Sequence, residues 1–412
     1  MKGAKKIWAL VFVLTLALVL GACGSSGGNS SNSKVLTVWA MGDEAKQLPD
    51  LVKDFEKESG IKVKIQAIPW SNAHDKLLTA VASKSGPDVV QMGATWMPEF
   101  VKAGALMDIT KETEKKAALN EDKFYPASIK TVKYDDKMYG VPWYADTRVL
   151  YYRTDLLKKV GYDKAPATWE ELHDAGKKLA DRGKDMYGFS LDGKEQTIGF
   201  MYGKQNGSPL LKDGKPVFNQ KPFVDAVKYM DSFFKDGISP KEDLGLDISQ
   251  SFGGDGVVPM FVSGPWMVKT IQETVPDVKG KWATSVLPKG KNNNSPFGGA
   301  NLSVFNYSKN KTNAVKFLEY MSKPDVQLKW MKMTTSLPTG QKAWEDKSLK
   351  ENQFYKTFGE QIKHAEPSLQ VPQYEELAQS FLKNFEQIYR GGANVQKQMD
   401  KYNQEATSIL KK

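Results

Sequence analysis

The chain has 412 residues, of which 40% are hydrophobic and 26% charged, and a formal charge of +10. That balance excludes a polytopic membrane protein, a collagen-like fibre and a wholly disordered chain, and the length suggests about two to four domains. One cysteine excludes an internal disulfide or a cysteine-built zinc site, and three widely spaced histidines (His74, His173, His364) point to no metal, no cofactor and no histidine-dependent catalytic centre.

The N-terminus reads as an export signal. Lys2, Lys5 and Lys6 precede an apolar run from Ile7 to Leu20, closed by Gly21 and Ala22. The run is short for a membrane span of about 20 residues. The single cysteine, Cys23, follows at once, and the segment resembles a bacterial lipobox, in which the cysteine is acylated and becomes the mature N-terminus. The resemblance implies a signal peptide over 1–22 and an extracytoplasmic protein held on the outer face of the cell membrane by lipidated Cys23. Each buried CH₂ of an acyl chain contributes about 0.8 kcal/mol, so two or three chains hold a protein without a spanning helix. The alternative is a plain signal peptide with an incidental cysteine. Gly24 to Ser33 (GSSGGNSSNS) is a polar tether that cannot pack a core. Acidic and basic residues interleave, as in Lys111 to Lys116, and no arginine-rich stripe occurs, so no nucleic-acid partner is expected.

Val35 to Trp39 (VLTVW) is a β-branched run and reads as a first strand. Leu48, Leu51, Val52 and Phe55 recur at helical spacing over Gln47–Ser59, and Gly60 ends them. Ile61 to Ile68 alternates as a strand, Ala73 to Ser83 reads as a helix, and Asp88 to Met92 reads as a buried strand after Gly86-Pro87. Strand, helix, strand, helix, strand is the pattern of a mostly parallel sheet with helices on its faces. Met138 to Tyr152 (MYGVPWYADTRVLYY) is too long for one strand and is expected to leave one sheet and enter another. Thr168 and Glu171 have the spacing of a capping box for a helix to Arg182. Phe223–Asp236 is amphipathic, Ala300–Phe305 reads as a strand, Thr312–Ser322 as a helix, and the chain from Gln341 on as mainly helical, with 362–372 irregular.

The ten tryptophans are the chemical signal. Trp39 closes the first strand and precedes Asp43 and Glu44; Trp70 follows Ile68-Pro69; Trp96 follows Gly93-Ala94-Thr95. Trp143 and Tyr144 neighbour Asp146 and Arg148, and Trp266 follows Gly264-Pro265. Ligands of open α/β sheets bind outside the carboxyl ends of strands. An indole covers the C–H face of a pyranose at low entropic cost, while carboxylates and guanidinium groups bind its hydroxyl rim. Each of these rings also suits a core, since large aromatics are highly buried on average. Trp169, Trp282 and Trp344 lack such neighbours and read as packing residues.

Gly86–Leu106 (GPDVVQMGATWMPEFVKAGAL), Gly140–Tyr162 followed by Thr168–Leu172, Phe261–Val268 (FVSGPWMV), Pro296–Phe305 (PFGGANLSVF), Ala314–Met321 and Ser336–Thr339 together resemble, in order, the bacterial extracellular solute-binding proteins of family 1. That group includes maltose-binding protein. The resemblance spans nearly all of the chain after the tether. It implies two α/β lobes, each a mostly parallel sheet flanked by helices, joined by crossover strands with a sugar between them. The first lobe would hold 34–145 and 300–333, the second 146–299 and 334–412. Residue by residue, it implies contacts from Trp39, Asp43 and Glu44, from Gly93, Thr95 and Trp96, from Asp146, from the stacking aromatic Trp266, from Gly298, Gly299 and Asn301 of the second crossover, and from Tyr374. Trp70, Trp143, Tyr144 and Arg148 join this set from their own neighbours. Trp96 and Met92 depart from maltose-binding protein, which points away from maltose itself.

The reading that follows is a non-catalytic receptor, expected as a monomer, that closes on a mono- or oligosaccharide and presents it to the membrane permease subunits of an ABC-type importer. The alternative is a secreted glycoside hydrolase, for which Asp43, Glu44 and Asp146 supply candidate carboxylates. A receptor for peptide, polyamine or phosphate is less well supported, since aromatics are abundant and no phosphate-cradling Gly-rich loop is present.

Overall fold

A computed structural model describes residues 34–411. The expected export signal, Cys23 and the tether lie outside the described residues. Ten strands carry the architecture: β1 (Val35–Met41), β2 (Lys62–Ile68), β3 (Val89–Gly93), β4 (Val141–Asp146), β5 (Val149–Arg153), β6 (Met260–Ser263), β7 (Trp282–Ser285), β8 (Ser295–Val304), β9 (Leu337–Pro338) and β10 (Ala365–Pro367). The first sheet has the order β9-β4-β8-β3-β1-β2, with β10 pairing β8, and the second has the order β6-β5-β7.

The start of the chain follows its pattern. β1 pairs in parallel with both β2 and β3, and the helix Trp70–Ala82 connects β2 to β3. The helix expected over 47–59 is broken instead. A 3-10 turn (Asp43–Gln47) leads into two short helices (Leu48–Leu51 and Lys53–Ser59) that meet at Val52, and Gly60 caps the second in the left-handed region. Thr168 caps its helix by accepting from the Glu171 amide, but the Glu171 carboxylate reaches back to the Ala167 amide, one residue further than a capping box requires.

Of the mostly parallel sheets expected for both lobes, parallel pairing is found within β1–β3 and between β8 and β10. β8 runs antiparallel to β3 and to β4, and the second sheet is antiparallel throughout. The physical reason is connectivity. β5 is entered directly from β4 of the first sheet and β8 from β7 of the second, not through a right-handed βαβ crossover, so nothing obliges them to run parallel to their neighbours. As its length required, the segment 138–152 divides: β4 lies in the first sheet, β5 in the second, and Thr147–Arg148 turn between them.

Three cores follow from this. One surrounds the first sheet and takes its side chains from 36–144 and 300–330. A second, built from helices such as Lys221–Lys235, Tyr374–Tyr389 and Val395–Ile409, takes 150–287 and 374–409. A third, with Tyr151, Trp282, Phe354 and Phe358, packs beneath the crossing strands. The two crossings are tied to each other by a fully buried serine. Ser295 Oγ accepts from Thr147 Oγ1 (2.8 Å) and from the Arg148 amide (3.0 Å), and donates to the Arg148 carbonyl (3.1 Å). Among the described residues no helix is long and apolar enough to cross a membrane.

Candidate functional site

The crossings open onto a cleft of about 400 Å³ lined by Glu44, Trp70, Tyr144–Asp146, Pro265, Trp266, Gly299 and Thr334–Ser336. Four of these residues stand at or just after strand ends. Glu44 follows β1, Trp70 opens the helix after β2, Asp146 ends β4, and Trp266 opens the helix Trp266–Thr274 after β6. Gly299 lies in β8 at a φ of 109°, where a Cβ would stand 2.2 Å from the Tyr144 carbonyl oxygen. Only glycine fits there. The register of β8 against β4 slips just beyond it: Ala300 faces Tyr144 and Asn301 faces Pro142, so Trp143 is the extra residue of a bulge in β4.

Trp266 is 43% exposed and Trp70 37%, high values for indoles beside a cavity. The Trp266 ring lies back over Gly264, where any Cβ would come 2.1 Å from a ring atom. Tyr151 from β5 fixes that turn by donating to the Gly264 carbonyl (2.7 Å). The Arg148 guanidinium lies 4.9 Å from the centroid of Trp266. Trp70 is braced edge-on by Trp96 (5.3 Å), which in turn meets His74 (5.3 Å).

Asp146 and Arg148 meet across the turn between the sheets. Arg148 Nη1 donates to both Asp146 oxygens (2.6 and 2.7 Å), and Arg148 Nη2 lies 3.6 Å from Glu195. Burial pushes the Asp146 carboxyl up, against the opposing pull of Arg148, and Glu195 pushes it further. Burial opposes the charge on Arg148, but the Asp146 and Glu195 carboxylates outweigh it and raise its value. Behind the cleft, Gln91 accepts from the Met41 amide (2.9 Å) and donates to the Tyr144 hydroxyl (3.0 Å). Burial, then the charges of Glu44 and Asp146, holds the Tyr144 phenol well above its ordinary value, so it remains a donor. The cleft thus offers two exposed indoles, a protonated phenol, two carboxylates and a run of hydroxyls.

Of the residues expected at a site, Glu44, Trp70, Tyr144, Asp146, Trp266 and Gly299 line this cleft; Arg148 and Gly298 adjoin it through Asp146. Gly93 ends β3 beneath the Trp70 and Trp96 rings, and Thr95 is half-buried in the turn that follows. Trp96 backs Trp70 and does not line the cleft. Asp43 opens the 3-10 turn after β1; its side chain lies outside what the structure describes. Four expectations need correction. Trp39 does not close its strand, because β1 continues to Met41; it lies on the sheet face under Lys76 of the following helix (4.6 Å). Trp143 is 1% exposed and stacks on Trp330 (4.9 Å, 24°), since β4 turns it into the first core. Asn301 is buried past the bulge and accepts from Thr131 Oγ1 (3.1 Å). Tyr374 is buried among the aromatics of the second core, its ring 5.7 Å from Phe200. Glu195, Pro265 and Thr334–Ser336 were not foreseen. The hydroxyl run Thr334-Thr335-Ser336 just before Leu337-Pro338 was the visible clue to the last of these.

Comparison with known proteins places this geometry. The family model described as bacterial extracellular solute-binding protein matches residues 41–328. A protein of Bacillus subtilis (strain 168) named galactooligosaccharide-binding protein is 26% identical, over 100% of this chain and 99% of its own. The structure of the sugar-binding protein MalE from Xanthomonas citri superposes with a TM-score of 0.87 at 31% identity, covering 92% of this chain and 97% of that one. A solute-binding protein of an ABC transporter from Thermotoga lettingae TMO, bound with α-D-tagatose, superposes at 0.79 with 27% identity, covering 92% and 100%. The two-lobed fold is common to these structures and this chain.

Proposed function

The chain belongs to the bacterial extracellular solute-binding proteins, and from that premise we propose that it captures a sugar in the cleft between its lobes and delivers it to the permease subunits of an ABC importer. The observation that carries this reading is the cleft itself, where two exposed indoles stand beside carboxylates and a buried phenol. Indole faces match the C–H faces of a pyranose, and charged acceptors match its hydroxyls. The relatives point the same way, one named for galactooligosaccharide and one solved with tagatose.

The lobes are taken as 34–145 with 300–333, and 146–299 with 334–412, hinged at the two crossings that Ser295 ties together. A sugar that touches both lobes favours the closed form by its differential affinity. Within the site, Trp70 and Trp266 serve as platforms, Asp146 and Glu44 accept from hydroxyls, and Tyr144 donates. Trp96 and Arg148 hold Trp70 and Asp146 in place. The protein acts as a receptor and not as a glycoside hydrolase: the relatives it matches are named as binding proteins, and both oxygens of Asp146 are engaged by Arg148, which makes Asp146 a poor general acid. Lipidated Cys23 anchors the monomer to the outer face of the cell membrane, where a diffusing receptor meets its importer.

A thermal-shift screen against a carbohydrate panel tests the reading. A sugar at 100 times its dissociation constant should stabilise the protein by about 2.7 kcal/mol, and chromatography should return it intact. Hydrolysed products would establish the enzyme instead, and a panel without any stabilising sugar would remove carbohydrate as the ligand class.

A further inference from the structure

One residue of the cleft wall has a backbone conformation that its side chain disfavours. Thr335 caps the helix Pro324–Thr334 at a φ of 67° and a ψ of 3°, in the left-handed region. Glycine is the usual residue at such a cap and asparagine an occasional one, while a positive φ in a β-branched residue is a strained outlier. Among the described residues, seven other than glycine have a positive φ; Thr335 is the β-branched one of these, and the one that lines the cleft. Its conformation is fixed from both sides. The Thr335 amide donates to the Met331 carbonyl (2.7 Å) and closes the helix, and Ser336 alone separates it from β9, which pairs with Tyr144 and Ala145 of β4. Beyond β9, Thr339 Oγ1 donates to the Pro142 carbonyl (2.9 Å) and accepts from Nε2 of Gln327 in the same helix (3.1 Å). With helix and strand both anchored, the chain must turn at position 335 whatever residue stands there.

The hydroxyl of the same residue is a second, independent observation. Thr335 is only 8% exposed, yet among the described residues its Oγ1 has no hydrogen-bond partner. Its neighbour differs: Thr334 Oγ1 donates to the Trp330 carbonyl (2.8 Å) and accepts from the Ser336 amide (3.2 Å), so that hydroxyl is used in holding the turn. Glycine at 335 would relax the backbone and keep every bond that anchors the turn, since those bonds use the amide of 335 and the side chains of other residues. What glycine would remove is the hydroxyl, a group that can both donate and accept, as a sugar hydroxyl can. Strain of this kind persists where the surroundings enforce it, and it gathers at sites that hold ligands.

We infer that Thr335 is a ligand-binding residue whose hydroxyl exchanges a hydrogen bond with a hydroxyl of the sugar, and that the turn is held strained to present it. The inference rests on the sugar-receptor reading and adds to it a residue whose contributions to binding and to stability oppose each other. Thermal melts and titration calorimetry on the full chain, with galactose, galactobiose, glucose, maltose and D-tagatose as probes, test it. Thr335→Gly should melt at or above the parent temperature and bind the best of these sugars about three- to tenfold more weakly, the loss of one neutral hydrogen bond. Thr335→Val keeps the branched shape and loses only the hydroxyl, and should show the same loss of affinity. Thr335→Ser restores the hydroxyl and should bind within about twofold of the parent. Affinity within about twofold of the parent in Thr335→Val overturns the hydrogen bond. A lowered melting temperature in Thr335→Gly with unchanged affinity makes Thr335 a packing residue and overturns the inference as a whole, and in either case the receptor is left standing. A parent that binds no sugar of the series counts against the receptor reading itself, and the inference falls with it.

Discussion

Trp143 and Trp266 both follow a proline, and their surroundings send them to opposite fates. Pro142-Trp143 sits in β4 between two partner strands, β8 and β9. A proline in such a place removes a ladder donor and is tolerated at a bulge, and the slip of β8 falls opposite it, pairing Tyr144 with Ala300 and Pro142 with Asn301. Trp143, left out of the ladder register, turns inward onto Trp330. Pro265-Trp266 instead stands at the start of a helix, where a proline costs no hydrogen bond and no neighbouring strand covers the ring. Pro69-Trp70 repeats the second case, with Pro69 as the cap of its helix. Position in the fold, not the dipeptide, separates a core residue from a binding platform.

Substitutions sharpen the contrast. Trp143→Ala should cost about 3–5 kcal/mol of stability by urea unfolding, the range for a large aromatic removed from a core, while the folded fraction binds sugar as the parent does. Weakened binding with unchanged stability would place Trp143 in the site after all. Trp266→Ala should reverse the pattern: an unchanged melting temperature, with binding weakened by about 2–4 kcal/mol, as for a central aromatic anchor. Calorimetry alongside a thermal melt reads both quantities. Asp146→Asn keeps the shape and removes the charge, and should weaken binding by about 1.5–3 kcal/mol. Full affinity in that variant would leave Asp146 as a hinge residue only.

A smaller effect concerns pH. Burial raises the Asp146 carboxyl above its ordinary value of 3.8, so on acidification it takes up its proton before ordinary carboxylates do, and affinity should begin to fall above that pH. A folded-state value above the unfolded one means that Asp146 adds stability as pH falls through this window and loses it as pH rises through the folded value. The loss of affinity is therefore not unfolding driven by this residue. A pH series of titrations should show the step in the parent protein and none in Asp146→Asn; the same step in both would assign it to another group.

Periodicity made much of the first lobe legible. β1–β3 and the helix between β2 and β3 follow from alternation and helical spacing, and the length of 138–152 foretold the passage from one sheet to the next. The antiparallel strands were not legible, because pairing partners such as Gly93 and Ala300 are distant in sequence and direction is set by connectivity. At the site, residues that end or follow strands were visible from glycine, proline and acidic neighbours, as at Glu44, Asp146 and Trp266. Trp39 was misplaced because two further residues, Ala40 and Met41, also belong to the strand, and Glu195 was missed because its partner, Arg148, is a long-range contact.

The most direct test of the central claim is amide hydrogen exchange with and without the sugar found in the screen, since local protection reports where a ligand holds the chain. A sugar held between the lobes predicts added protection on both walls at once, at the starts of the helices Trp70–Ala82 and Trp266–Thr274 and at the crossings near 144–148 and 295–299, with no change around Trp330. Protection confined to one lobe, or found only away from these segments, would contradict it.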